Sequence, residues 1–171
     1  ARAEVPDSKR AIDRVAAVRI PVLSLVTMTD APLDGLLSLL LRAFGESPPA
    51  RVVAVYLFGS HADGRALKES DVDVGVLLDR ELFPTRKARF DARLRLAGWL
   101  AGRLRPRAVD LVILNDAPPM LGRHIVATGK RIACYDEAAD HAFVRDVLLR
   151  AADLEPFLRR ARRLKLAALA R

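Results

Sequence analysis

Two short apolar runs joined by a polar turn restrict the possible folds of this chain more than any other feature. Residues 51–58 (RVVAVYLF) and 71–78 (DVDVGVLL) are rich in β-branched and aromatic side chains. Both are short for helices and read as buried strands. Gly59-Ser60 ends the first run sharply, residues 60–65 have room for one helical turn, and a polar loop follows through Ser70. Alternation at the start of the second run places Asp71 and Asp73 on one strand face and Val72 and Val74 on the other.

The flanking sequence supplies helices for such strands. Residues 30–44 carry Leu33, Leu36, Leu37, Leu40, Leu41 and Phe44 on one wide apolar face, with Asp30 as N-cap, Pro32 in the first turn and Gly45 at the end. A long helix is expected from Thr85 to about Arg103, burying Phe90, Leu94, Ala97, Ala101 and Leu104, with Pro106 stopping it. Val109 to Leu114 reads as a third strand carrying Asp110, Pro118-Pro119 opens a helix that Gly129 closes, and Lys130 to Tyr135 is a fourth short strand. From Glu137 onward the pattern is helical, with Ala142, Val144, Val147, Leu148, Ala151, Leu154 and Leu158 as core candidates and Pro156 expected to kink or divide the helix. The fold class is therefore α/β (α+β): a mixed β-sheet flanked by helices, with a C-terminal helical segment. The expected division is an N-terminal extension over 1–29, a core domain over 30–136 and a helical segment with a basic tail over 137–171.

At 171 residues the chain is long enough to bury its own core. The single cysteine, Cys134, permits no intrachain disulfide and no thiolate metal cage, which suits a reducing cytoplasm. No apolar run reaches the ~18 residues of a membrane span. Residues 20–26 behind Lys9, Arg10, Arg14 and Arg19 faintly resemble a signal sequence, but Asp13 lies within the basic part, so the stretch reads as an extension or extra strand. The net charge is +8, and six basic residues with no acidic one lie between Phe157 and Arg171. Such a tail attracts an acidic protein or nucleic acid, or is simply a solvated helix face. No RNA or DNA recognition motif accompanies it, so a nucleic-acid role is not favoured.

The segment LFGSHADGRALKESDVDVGVLLD carries the chemistry. Gly59-Ser60 is followed, after ten residues, by Asp71-Val72-Asp73. A glycine at a strand end permits close backbone approach, and the hydroxyl and N–H groups beside it can hold a triphosphate. Two carboxylates at i and i+2 on one strand repel each other unless a cation lies between them, and oxygen ligands without nearby Cys or His favour Mg²⁺ or Mn²⁺. Asp110 is the candidate third acid and Asp116, past the strand, its rival. His61 lies inside the motif and is placed to meet a phosphate. His124 and His141 lack ligand spacing, and Lys130-Arg131 reads as a solvated strand end.

This pattern resembles the G-S-x10-D-x-D signature of the DNA-polymerase-β-like nucleotidyltransferase superfamily, and in particular the minimal nucleotidyltransferase antitoxins of HEPN/MNT toxin–antitoxin pairs. The resemblance extends from about Val52 to Tyr135 through Val109-Asp110-Leu111-Val112, Asn115-Asp116-Ala117-Pro118-Pro119 and the 129–135 segment. It implies a nucleotidyltransferase fold, triphosphate binding at Gly59 and Ser60, two Mg²⁺ ions on Asp71, Asp73 and Asp110, and ATP as substrate. It also implies transfer of AMP to a tyrosine of a HEPN ribonuclease toxin encoded alongside, in a cytoplasmic hetero-oligomer. Many relatives carry Arg where this chain has Asp63, leaving Arg65 or Lys68 to supply that charge. The competing readings are a non-catalytic antitoxin that neutralises its toxin by binding, and a small-molecule nucleotidyltransferase, for which the chain is short.

Overall fold

The computed structural model describes residues 31–169 apart from residue 68. The Asp30 cap, the 1–29 extension, Lys68 and the last two residues of the basic tail lie outside the described residues. In chain order the elements are α1 (Ala31–Gly45), β1 (Val52–Phe58), α2 (Gly59–Ala62), β2 (Val72–Leu78), α3 (Arg86–Leu104), β3 (Val109–Ile113), a 3-10 turn (Leu114–Asp116), α4 (Pro119–Thr128), β4 (Lys130–Cys134) and α5 (Glu137–Leu169). The four strands form one mixed sheet in the order β3-β2-β1-β4. β1 runs antiparallel to β2 and β4, whereas β2 and β3 are parallel and joined by the α3 crossover.

Alternation along the strands divides the interior into two layers. Val72, Val74, Val76 and Leu78 of β2, with Val55 and Leu57 of β1, pack with Leu36, Leu40 and Phe44 of α1 and Leu96, Leu100 and Leu104 of α3. The opposite sheet face carries Tyr56, Phe58 and Leu77, which pack with Leu114 and with Ile125 of α4. Phe143 of α5 is partly buried against this second layer. Gly122 brings α4 and α5 together, since a Cβ there would lie 2.6 Å from the Val147 side chain.

Two helices differ from their expected faces. α3 buries Ala92, Leu96, Leu100 and Leu104, an i, i+4 series, while Phe90 and Leu94 are more than half exposed and Ala101 faces solvent. Both series have helical period, and contact with α1 and the sheet selects one. Trp99 sets that choice locally: it meets Phe44 edge-on with ring centroids 5.3 Å apart, and Arg103 lies 4.4 Å over its ring. α5 continues unbroken through Pro156. It buries Val147 and Ala151 and half-buries Val144 and Leu154, but leaves Ala142, Leu148 and Leu158 exposed.

One buried polar cluster fastens α5 to the sheet. Asp140, 1% exposed, accepts a 2.6 Å hydrogen bond from the Tyr56 hydroxyl on β1 and a 2.9 Å bond from Arg131 on β4. Burial, and then the bond to Asp140, raise the Tyr56 phenol well above its ordinary range. Arg131, expected at a solvated strand end, is thus an internal partner whose head stays partly in solvent. Asp140→Ala is expected to cost about 2–3 kcal/mol, because it strands the buried hydroxyl, whereas Tyr56→Phe should cost about 1 kcal/mol. Urea unfolding of the two variants checks this ordering.

Candidate active site

The exposed end of the second layer gathers the acidic residues. Phe58 pairs with Asp73 across β1 and β2, and Asp73 pairs with Asp110 across β2 and β3. One row across three strands thus reads Phe58, Asp73, Asp110. In-register side chains on neighbouring strands share a face, and their backbones lie about 4.8 Å apart. Asp71 stands two residues before Asp73, on that same face just ahead of β2, and is exposed. Val72 and Val74, between and beyond them, are fully buried in the opposite layer, as the alternation requires.

Gly59 forms the floor of this row. Its φ is +68°, and a Cβ added there would lie 2.2 Å from Asp73 Oδ2. Both the left-handed backbone and the carboxylate above it exclude a side chain. The chain then turns at once into α2, whose first turn has no side-chain cap. Ser60 sits in that turn, half-buried, beside Asp73 in the fold. His61 Nε2 donates to the Ser70 carbonyl at 3.1 Å, which ties α2 to the residue before Asp71.

The electrostatics of the row are unfavourable as it stands. The Asp73 carboxyl is held above the usual carboxylate range, first by burial, then by the charges of Asp110 and Asp71, with His61 acting in the opposite direction. This donor set is oxygen only, which fits a hard divalent cation. Among the described residues, no group of three His, Cys, Asp or Glu side chains is arranged to hold a metal ion. Arg93 of α3 lies against the outer acid of the row. Its Nη2 lies 3.9 Å from Asp110 Oδ1 while its Nε donates to the Leu111 carbonyl at 2.8 Å.

Asp116, the rival third acid, sits beyond the far end of β3. Arg89 grips both of its oxygens at 2.7 and 2.8 Å, and that bond holds its carboxyl below the usual range. It is committed to a structural pair, and the sheet brings Asp110, not Asp116, beside Asp73. Asp63 pairs with Arg65, so the nearest alternative cation is engaged by the residue it was expected to replace. His124 and His141 are exposed on α4 and α5. Arg93 and the Tyr56–Asp140–Arg131 cluster have no signature in the sequence, since each pairing joins residues from separate elements. An open cleft of about 390 Å³ lies on the other side of β3, between α3 and the start of α4, with Arg86, Arg89, Arg93, Leu111 and Asp116 among its lining residues. Arg93 forms the boundary between that cleft and the acidic row.

A family model described as polymerase beta, nucleotidyltransferase, matches residues 46–138, which contain every residue of the row. The protein adenylyltransferase MntA of Shewanella oneidensis is 35% identical over 78 residues, covering 46% of this chain and 51% of that protein. The match therefore spans about half the length of this curated relative. A chain of a toxin–antitoxin crystal structure with AMP-PNP superposes with a TM-score of 0.52 at 24% identity, covering 79% of this chain and 98% of that one. A chain from a mutant MntA–HpeT toxin–antitoxin crystal structure gives 0.50 at 21% identity, with the same coverage. At these identities the structural likeness is one of fold.

Two outcomes follow from the geometry. Gly59→Ala is expected to displace Asp73 and cost about 1–3 kcal/mol. Gly64→Ala, with a similar φ of +70° but nothing within 4 Å of its Cβ, should cost about 1 kcal/mol and leave the row intact. Melting of both variants, with divalent-cation binding as the second readout, separates backbone strain from loss of the carboxylate position. Because the folded-state pKa of Asp73 is raised, stability of the cation-free fold falls as pH rises from the ordinary carboxylate range to the folded-state value and stays lower above it. Asp73→Asn should therefore raise the urea midpoint at neutral pH without divalent cations, with the gain vanishing in acid below the ordinary carboxylate range. Adding Mg²⁺ should reverse the order by stabilising only the wild type. A neutral-pH midpoint for Asp73→Asn at or below that of the cation-free wild type would contradict the reading.

Proposed function

The chain belongs to the polymerase beta nucleotidyltransferase family, and on that footing we propose that it transfers AMP from ATP, with Mg²⁺, to a tyrosine of a HEPN toxin, as that toxin's antitoxin. The observation that carries the reading is the row itself: Asp73 in register with Asp110, Asp71 two residues earlier, and Gly59 beneath. The 35% identity to a protein named as a protein adenylyltransferase supports a protein acceptor. The fold shared with toxin–antitoxin chains, one of them crystallised with AMP-PNP, is consistent with it.

Each residue has a role that follows from its place. The sharp turn at Gly59 brings backbone N–H groups of the uncapped α2 and the Ser60 hydroxyl to the end of β1, where they hold the ATP phosphates. Asp71 and Asp73 are the carboxylates that would hold Mg²⁺ beside the α-phosphate. Asp110, exposed on the edge strand, faces the acceptor and receives the phenolic proton. The tyrosine oxygen forms a bond to the α-phosphorus in line as the α–β bridging oxygen leaves with pyrophosphate. When bound, Mg²⁺ neutralises charge on the attacking and leaving oxygens.

The non-catalytic antitoxin is the second reading, supported by the Asp63–Arg65 pair, which occupies the nearby cation. Incubation with α-labelled ATP, Mg²⁺ and the protein encoded by the neighbouring gene distinguishes the two. Label should appear on a tyrosine of the partner and fall to background with Asp71→Asn/Asp73→Asn. Neutralisation of the partner by the double variant, without label from either protein, would establish the binding-only reading instead.

A further inference from the structure

The C-terminal third of α5 stands apart from the two-layer body. No residue of α5 after Ala151 is buried, and every described residue from Pro156 onward is exposed. The helix nevertheless continues to Leu169, so Phe157–Leu169 adds about 20 Å of unsupported helix. Most of its apolar residues share one face. Leu154, Phe157, Leu158, Ala161, Leu164 and Ala168 follow i, i+3, i+4 spacing and prolong the seam through which Val147 and Ala151 pack on the body. Phe157 is 72% and Leu164 64% exposed. An isolated segment of this length is marginal as a helix in water, and packing of its apolar stripe is the usual source of stability.

Charge narrows what can cover the stripe. Arg160, Arg162, Arg163 and Lys165 make no ion pair among the described residues, and no acidic residue lies between Pro156 and Leu169. Arg159 alone is engaged, with Glu155 at 2.7 Å. A second copy of the same helix would set these cations against each other. Nucleic acid would meet the arginines but leave Phe157 and Leu164 in water. An anionic membrane surface requires a continuous apolar stripe, whereas Lys165 falls in the middle of this one and Leu166 among the arginines. A protein surface can place a carboxylate opposite Lys165 and a pocket opposite Leu166.

We propose that Phe157–Leu169 is a docking helix whose apolar stripe enters a groove, rimmed by carboxylates, on a protein partner. The identity of that partner rests on the toxin–antitoxin reading; the chemistry of the surface does not. The binding mode is helix-in-groove, with Phe157 and Leu164 as anchors and the arginines on the rim.

The test uses the full chain and measures affinity for the protein encoded by the neighbouring gene, for phosphatidylglycerol vesicles and for single-stranded RNA. Phe157→Asp/Leu164→Asp and Arg160→Glu/Arg163→Glu are each expected to weaken the protein complex by about tenfold or more. Arg160→Lys/Arg163→Lys should retain most of the affinity. Circular dichroism of each variant checks that α5 stays helical. Unchanged protein binding by both tail variants overturns the inference, as does failure of the intact chain to bind that protein. Tail-dependent binding to vesicles or RNA alone also overturns it. A tail-dependent complex without label transfer would leave the docking helix standing while the AMP-transfer reading falls.

Discussion

The site depends on an electrostatic conflict that the sheet enforces. Asp73 and Asp110 are set side by side by parallel pairing of β2 with β3, and Asp71 is set on the same face by strand alternation. Neither arrangement arises from attraction among the carboxylates. Both follow from the opposite face, where Val72, Val74, Val109 and Leu111 pack with α1 and α3. Slipping either strand by one residue would expose those apolar side chains and bury the acids, so hydrophobic packing fixes the register that chemistry requires. The stored repulsion is then available to a cation, whose binding relieves it.

The body is organised around that row. Gly59 lets β1 end directly beneath Asp73 and turn into α2 without a side chain in the way. Further along the same sheet face, the Tyr56–Asp140–Arg131 cluster ties β1, β4 and α5 together. Arg93 has a different effect. By contacting both the Leu111 carbonyl on the edge strand and the Asp110 carboxylate, it covers part of an exposed sheet edge beside the third acid. The same residue borders the cleft on the far side of β3, which places an adjustable contact between that cleft and the acidic row.

The strands, the Gly-Ser turn and the acids were legible because each is written locally. Period-two alternation fixed the faces of Asp71 and Asp73, and strand ends were marked by Gly, Pro and Asp residues. The buried face of α3 was not legible, since Phe90–Leu94–Ala97–Ala101 and Ala92–Leu96–Leu100–Leu104 both have helical spacing and only the tertiary partner decides between them. The continuity of α5 through Pro156 was missed for a related reason. Proline removes one backbone donor, and the helix tolerates that loss at a solvent-exposed position. Pairings such as Arg93–Asp110 and Arg89–Asp116 join residues 17 and 27 positions apart, and a sequence carries no local record of them.

The most direct measurement is a crystal structure of the full chain with Mg²⁺ and a non-hydrolysable ATP analogue. The expected result is oxygen atoms of Asp71, Asp73 and Asp110 around metal at the end of the sheet, Asp110 released from Arg93, and the triphosphate against Gly59 and Ser60. Nucleotide bound elsewhere, or Asp110 still paired with Arg93 and no metal on Asp71 and Asp73, would contradict it.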